Sequence, residues 1–83
     1  MAGKPEIRSF VQQLLDAKDD HRPLADDESL LLSGRLQSVD AVEIVVFLEE
    51  KFGLDFSDIG FDREQLDSIN AIDSLTRSAT AGR

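Results

Sequence analysis

The stretch Gly34–Gly53, GRLQSVDAVEIVVFLEEKFG, decides how the rest of this chain is read. From Val39 onward, Val39, Val42, Ile44, Val45, Val46, Phe47, Leu48 and Phe52 make a wide apolar stripe, leaving Asp40, Glu43, Glu49 and Glu50 for solvent. The β-branched residues invite a strand, but the run is too long for one, and a small polar residue before an acid is a helix-start signal. A helix is therefore expected over Ser38–Phe52, with Ser38 as its N-cap and Gly53 in the left-handed conformation past its end.

Working outward, Ile7, Phe10, Val11, Leu14 and Leu15 recur at helical spacing after Pro5, which suits a first helical turn. A first helix is expected from about Pro5 to Lys18. The segment DDHRPLADDESLLLSGRL breaks that period and reads as a long loop, pinned to the core by the patch Leu30, Leu31 and Leu32. Beyond Gly53, Asp62 with Gln65 three residues later resembles a capping box and predicts a short helix over Arg63–Leu66. Asp67 or Ser68 then caps a last helix bearing Ile69, Ile72 and Leu75 on one side. The expectation is an all-α fold: a small antiparallel four-helix bundle of three main helices and one short one, with a long loop between helices 1 and 2. It is one domain over residues 1–83, with flexible ends at residues 1–4 and 77–83.

Composition narrows the function. A chain of 83 residues buries a modest core and leaves little room for a deep substrate cavity. Without tryptophan or tyrosine, and with five phenylalanines, that core must be mostly Leu, Ile and Val. Zero cysteines exclude disulfides, thiolate metal sites and cysteine nucleophiles. The beginning MAGKPEIRSF lacks the apolar run of a signal peptide, and no stretch approaches the roughly 20 apolar residues of a membrane span, so a soluble cytoplasmic protein is expected. Seventeen acids against nine bases give a net charge of −8, which repels nucleic acid and anionic membranes and favours partners rich in Lys and Arg.

Chemistry within the chain is sparse. A serine hydrolase needs a base beside its nucleophile, and the only histidine, His21, sits in the charged loop and reads as a solvated residue. An EF-hand register starting at Asp55 places Gly60 correctly, but puts Ile59 and Leu66 where oxygen ligands are required, so no metal site is expected. No Gly-rich phosphate cradle or basic-aromatic surface occurs. Attention returns to Ser38 and its helix.

The segment SGRLQSVDAVEIVVFLEEKFGLDF resembles the central segment of acyl carrier proteins, small four-helix bundles whose Asp-Ser-Leu serine bears a 4′-phosphopantetheine arm. The likeness runs through Gly34, Ser38, Val39, Asp40, Val42, Glu43, Ile44, LEEKFG, Asp55 and Phe56, and at lower resolution covers about residues 6 to 76. It implies a non-catalytic carrier, with Ser38 as the attachment point and Gln37, Val39, Asp40, Glu43, Glu49 and Glu50 as the docking face. The implied partners are a phosphopantetheinyl transferase, then acyl-transferring or synthase enzymes with basic patches, in fatty-acid, polyketide or related metabolism. The carrier itself is expected to be a monomer. Gln37 departs from the family, which places Asp before the serine. The literal matches Asp73-Ser74-Leu75 and Asp67-Ser68-Ile69 are not followed by an acidic striped helix and read as structural. A peptidyl, aminoacyl or D-alanyl carrier, and an unmodified carrier-like interaction module, are the alternative readings. Acyl cargo held inside would meet the stripe of helix 2 with Ile59, Phe61 and Ile69, although apolar residues at helical spacing are core by default.

Overall fold

A computed structural model describes residues 3–56 and 62–81. The chain is all-helical over these residues, with three α-helices and one 3-10 helix and no strand. Helix α1 spans Gly3–Ala17, α2 spans Ser38–Phe52 and α3 spans Ile69–Ala81, with a 3-10 turn at Arg63–Leu66.

Helix α1 begins two residues before Pro5, which the first turn tolerates because its N–H groups have no partner inside the helix. Ile7, Val11 and Leu15, each one turn apart, are buried along its inner face. It ends when Asp19 adopts a positive φ of 63°, letting the Asp20 N–H donate to the Leu15 carbonyl at 2.9 Å. That is the left-handed helix ending usually given to glycine, which aspartate can also adopt.

Residues 18–37 contain neither helix nor strand, yet four of their leucines, Leu24, Leu30, Leu31 and Leu36, lie in the core. Leu32, expected beside them, is instead 85% exposed. The turn at Leu31–Gly34 points successive side chains in different directions, so three adjacent leucines cannot all face inward.

On α2, only Ile44 and Leu48 of the apolar stripe are fully buried, beside Ala41, with Val45, Phe47 and Phe52 partly so. Val39, Val42 and Val46 face solvent. The wide stripe expected as core thus wraps beyond the arc that one helix can bury, and its excess lies outside. Gly53 ends α2 at φ 67° and ψ 35°, the left-handed cap anticipated from the sequence.

The Asp62 N–H donates to Gln65 Oε1 at 2.7 Å, the contact expected to start the Arg63–Leu66 turn. For α3, Ser68 is the cap: its Oγ accepts the Ala71 N–H at 3.0 Å. Ile69 and Ile72 are fully enclosed and Leu75 nearly so. Helix α3 continues to Ala81, into the region read as a flexible end. Its later turns have tertiary support: Thr76 is buried with its hydroxyl donating to the Ile72 carbonyl, and Ala79 packs against the core.

Candidate functional site

The carrier reading turns on the start of α2, and the structure revises the role of Ser38 there. The cap residue is Gln37, in an extended conformation, and Ser38 is the first helical residue. Ser38 is exposed, and its hydroxyl makes no hydrogen bond among the described residues. A serine one position inside the helix cannot reach back to cap it, so the expected capping role falls away and the hydroxyl is left to solvent.

What holds this helix start is Asp40. Its Oδ2 accepts the Gln37 N–H at 2.8 Å and lies 2.9 Å from Lys18 Nζ, just past the end of α1. Asp40 is 4% exposed. Its expected place on the docking face is therefore corrected: the acid two residues after the serine faces inward, because an acid at the third helical position can cover an unpaired amide and meet the positive end of the helix.

The approach to Ser38 is held by Arg35. Its side chain is 7% exposed and reaches Asp20 Oδ2 at 3.1 Å and Glu28 Oε2 at 2.7 Å. It also donates to the carbonyls of Pro23 at 2.9 Å and Arg22 at 3.2 Å. A planar guanidinium can satisfy several oxygens at once, and here it gathers four separate points of one loop. Arg22 and Arg35 hold the Asp20 carboxyl well below the usual carboxylate range. The Ala25 N–H, which donates to Glu28 at 2.7 Å, and then Arg35 lower the Glu28 carboxyl as well.

Asp67 ties the same loop to α3. Its Oδ1 accepts the Leu31 and Leu32 N–H groups at 2.7 and 3.1 Å, while its carbonyl accepts that of Leu30. Burial alone would raise its carboxyl, but the backbone amides of Leu32 and Leu31 that donate to it outweigh burial and lower it. Farther back, Arg8 bonds Asp26 and the Leu24 carbonyl, and the Asn70 N–H donates to the Asp26 carbonyl.

Of the expected docking face, Gln37, Val39, Glu43 and Glu50 are exposed. Glu49 is half-buried, and its Oε2 accepts the Phe56 N–H at 3.0 Å, which fixes the chain beyond Gly53. The exposed acids thus share their face with Val39, Val42 and Val46. Ser74 lies in mid-α3, and Ser68 is committed to its cap. His21 is exposed, with its ring nitrogens about 3 Å from Asp16 and Asp19 carboxylates. Ile69 is core, whereas Ile59 and Phe61, the other expected cargo-lining residues, and Gly60 of the EF-hand register lie outside the described residues. Among the described residues no group of His, Cys, Asp or Glu could hold a metal ion, and no helix is long and apolar enough to cross a membrane.

Arg35, Lys18 and Asp67 were missed as organisers of the site. Arg35 carried one usable signal, a lone cation three residues before the serine and downstream of a loop rich in acids. No protein-family model, no curated protein and no solved structure matches this chain.

Proposed function

We infer that the chain is an acyl carrier protein, a small antiparallel four-helix bundle that carries 4′-phosphopantetheine on Ser38 and delivers acyl thioesters to biosynthetic enzymes in the cytoplasm. The observation that supports this most is the state of Ser38: exposed, without a hydrogen bond, and seated on a helix start whose capping is done by other residues.

The residues present fit a phosphodiester at that position. The first turn of α2 offers backbone N–H groups and the positive end of the helix to an anion. Lys18 holds the Asp40 carboxylate as an ion pair, which limits its repulsion of a nearby phosphate. In the loading reaction the Ser38 oxygen forms a bond to the phosphorus next to pantetheine in coenzyme A. The bond to adenosine 3′,5′-bisphosphate breaks, and the hydroxyl proton passes to a base of the transferase. The arm supplies the thiol that a chain without cysteine lacks. Arg35 and Asp40 keep the serine segment in one conformation, while exposed Gln37, Val39, Glu43 and Glu50 give basic partners a surface for rapid, reversible encounter.

An unmodified interaction module is the second reading. It is favoured by Gln37 and by the solvent-facing valines, which need a partner but no prosthetic arm.

Intact-protein mass spectrometry decides between them, after incubation with coenzyme A, magnesium and a broad-specificity phosphopantetheinyl transferase, and in parallel on protein from its native host. One phosphopantetheinyl group mapped to Ser38, absent in Ser38→Ala, is the expected result. An unmodified mass in both samples leaves the interaction module.

A further inference from the structure

Leu32 is held firmly by its backbone and yet leaves its side chain in water. The Leu31 and Leu32 N–H groups donate to Asp67 Oδ1 at 2.7 and 3.1 Å, and the Ser33 hydroxyl donates to the Ser29 carbonyl at 2.6 Å. At 85% exposure, Leu32 is the most open large apolar residue among those described. Beside it, Leu31, Leu32, Arg63, Glu64 and Asp67 line a cleft of about 120 Å³ between the loop and the 3-10 turn. Arg63 and Glu64 are exposed. Every other lysine and arginine among the described residues is ion-paired with a carboxylate, whereas Arg63 has no such partner.

We propose that this cleft docks a segment of a partner protein that presents a large apolar side chain between an acid and a base, the apolar group packing on Leu32 and the acid meeting Arg63. Size and charge select that occupant. The cleft is smaller than the roughly 300 Å³ at which small-molecule sites begin, so it suits one side chain and not an acyl chain. A leucine already fixed by its backbone loses little conformational freedom when it is covered. The Asp67 carboxylate is committed to the loop amides, which leaves Arg63 and Glu64 as the free charges of the lining. They are consecutive on a 3-10 turn, where successive side chains diverge by about 120°. One acid and one base on the partner satisfy both, and their order fixes the direction in which the segment runs. A wholly basic segment would leave Arg63 facing like charge, and a second copy of this chain would bring together net charges of −8 each. The site lies on the loop and the 3-10 turn and uses neither Ser38 nor α2, so it goes beyond the carrier function and does not depend on it.

The test is an NMR titration of the isotope-labelled full chain. The probe is a synthetic peptide with a leucine between a glutamate and a lysine; its control has the glutamate replaced by lysine. The expected result is saturable shifts of the Leu31 and Leu32 methyls and the Arg63 Nε–H with the glutamate peptide only. Kd should rise by about tenfold or more in Leu32→Ser and in Arg63→Glu, and Arg63→Glu should gain binding of the control peptide. Both side chains are exposed and the Leu32 hydrogen bond runs through its backbone, so the variants should keep the parent's helical circular dichroism. Ser38→Ala should bind like the parent, which separates this result from the outcome at Ser38. The proposal is overturned by no saturable shift, by shifts centred on α2, or by equal binding of the control peptide to the parent. A rise in Kd short of about tenfold in either variant, or no gain of control binding in Arg63→Glu, would overturn it as well. So would self-association of the free chain through the Leu32 methyls, seen by sedimentation.

Discussion

Replacing Lys18 by methionine removes the cation that balances Asp40 while leaving most of the aliphatic stem. The Asp40 side chain is 6% exposed and keeps one hydrogen bond, from the Gln37 N–H, whereas Lys18 is 31% exposed. Breaking a fully buried ion pair costs about 3–5 kcal/mol, and a hydrogen bond to a charged group contributes about 1.5–3 kcal/mol. Water reaches Lys18, and the remaining Asp40 hydrogen bond softens the loss, so the expected cost is about 1–2 kcal/mol after discounting for solvent screening. For a chain of this size that is a fall in Tm of roughly 4–16 °C. Asp40→Asn should cost about 1 kcal/mol, because the amide oxygen can still accept the Gln37 N–H and Lys18 can swing into water. The double variant should lose about 1 kcal/mol less than the sum of the two. Urea unfolding followed by helical circular dichroism at neutral pH measures all four corners of this cycle, and Lys18→Arg should restore most of the loss. Additivity within about 0.3 kcal/mol would refute the view that Lys18 and Asp40 act as a pair at the start of α2.

Ser38→Ala should change stability by less than about 0.5 kcal/mol, since Gln37 and Asp40 do the capping; a loss near 1 kcal/mol in urea unfolding would return the cap to Ser38. Gly34 holds a φ of 85° with open space around it, so Gly34→Ala should cost about 1 kcal/mol in backbone strain alone, readable in the same assay. Asp19→Gly should instead gain about 0.5 kcal/mol, because the left-handed position after α1 is easier for glycine. The carboxyls of Asp20, Glu28 and Asp67 are lowered in the folded chain from usual values of 3.8, 4.5 and 3.8. The unfolded chain therefore binds more protons in acid. Their contribution to stability is full above about pH 5 and lost as pH falls below about 4. Arg35→Met should flatten that fall in urea midpoint; an unchanged slope would detach Asp20 and Glu28 from the effect.

Local signals were legible where they were chemical and short in range. Gly53 marked a left-handed cap, Asp62 with Gln65 marked a short turn, and Ser68 preceded the last helix; each works through neighbours within a few residues. The stripe of α2 was legible as helix but not as burial. Periodicity says which residues share a face, while the depth of the surrounding core decides that Ile44 and Leu48 are covered and Val42 and Val46 are not. The inward turn of Asp40 and the gathering role of Arg35 depend on residues 15 to 22 positions away, at Lys18 and Asp20. No window along the sequence reports such pairings. Ser38 was found as a residue but assigned to the wrong helical position, because one step separates a cap from a first turn and Gln37 is an unusual cap.

The tether at Asp67 also decides how the loop opens. The amides of Leu30, Leu31 and Leu32 have acceptors 35 to 37 residues away, so their hydrogen bonds can break without any helix unwinding. Their exchange with deuterium reports on the separation of loop from α3, a motion distinct from helix fraying at the chain ends. That makes three consecutive amides a clock for the segment that leads to Ser38. If loop opening accompanies partner visits, these amides will exchange faster while those of α1 and α3 keep their protection.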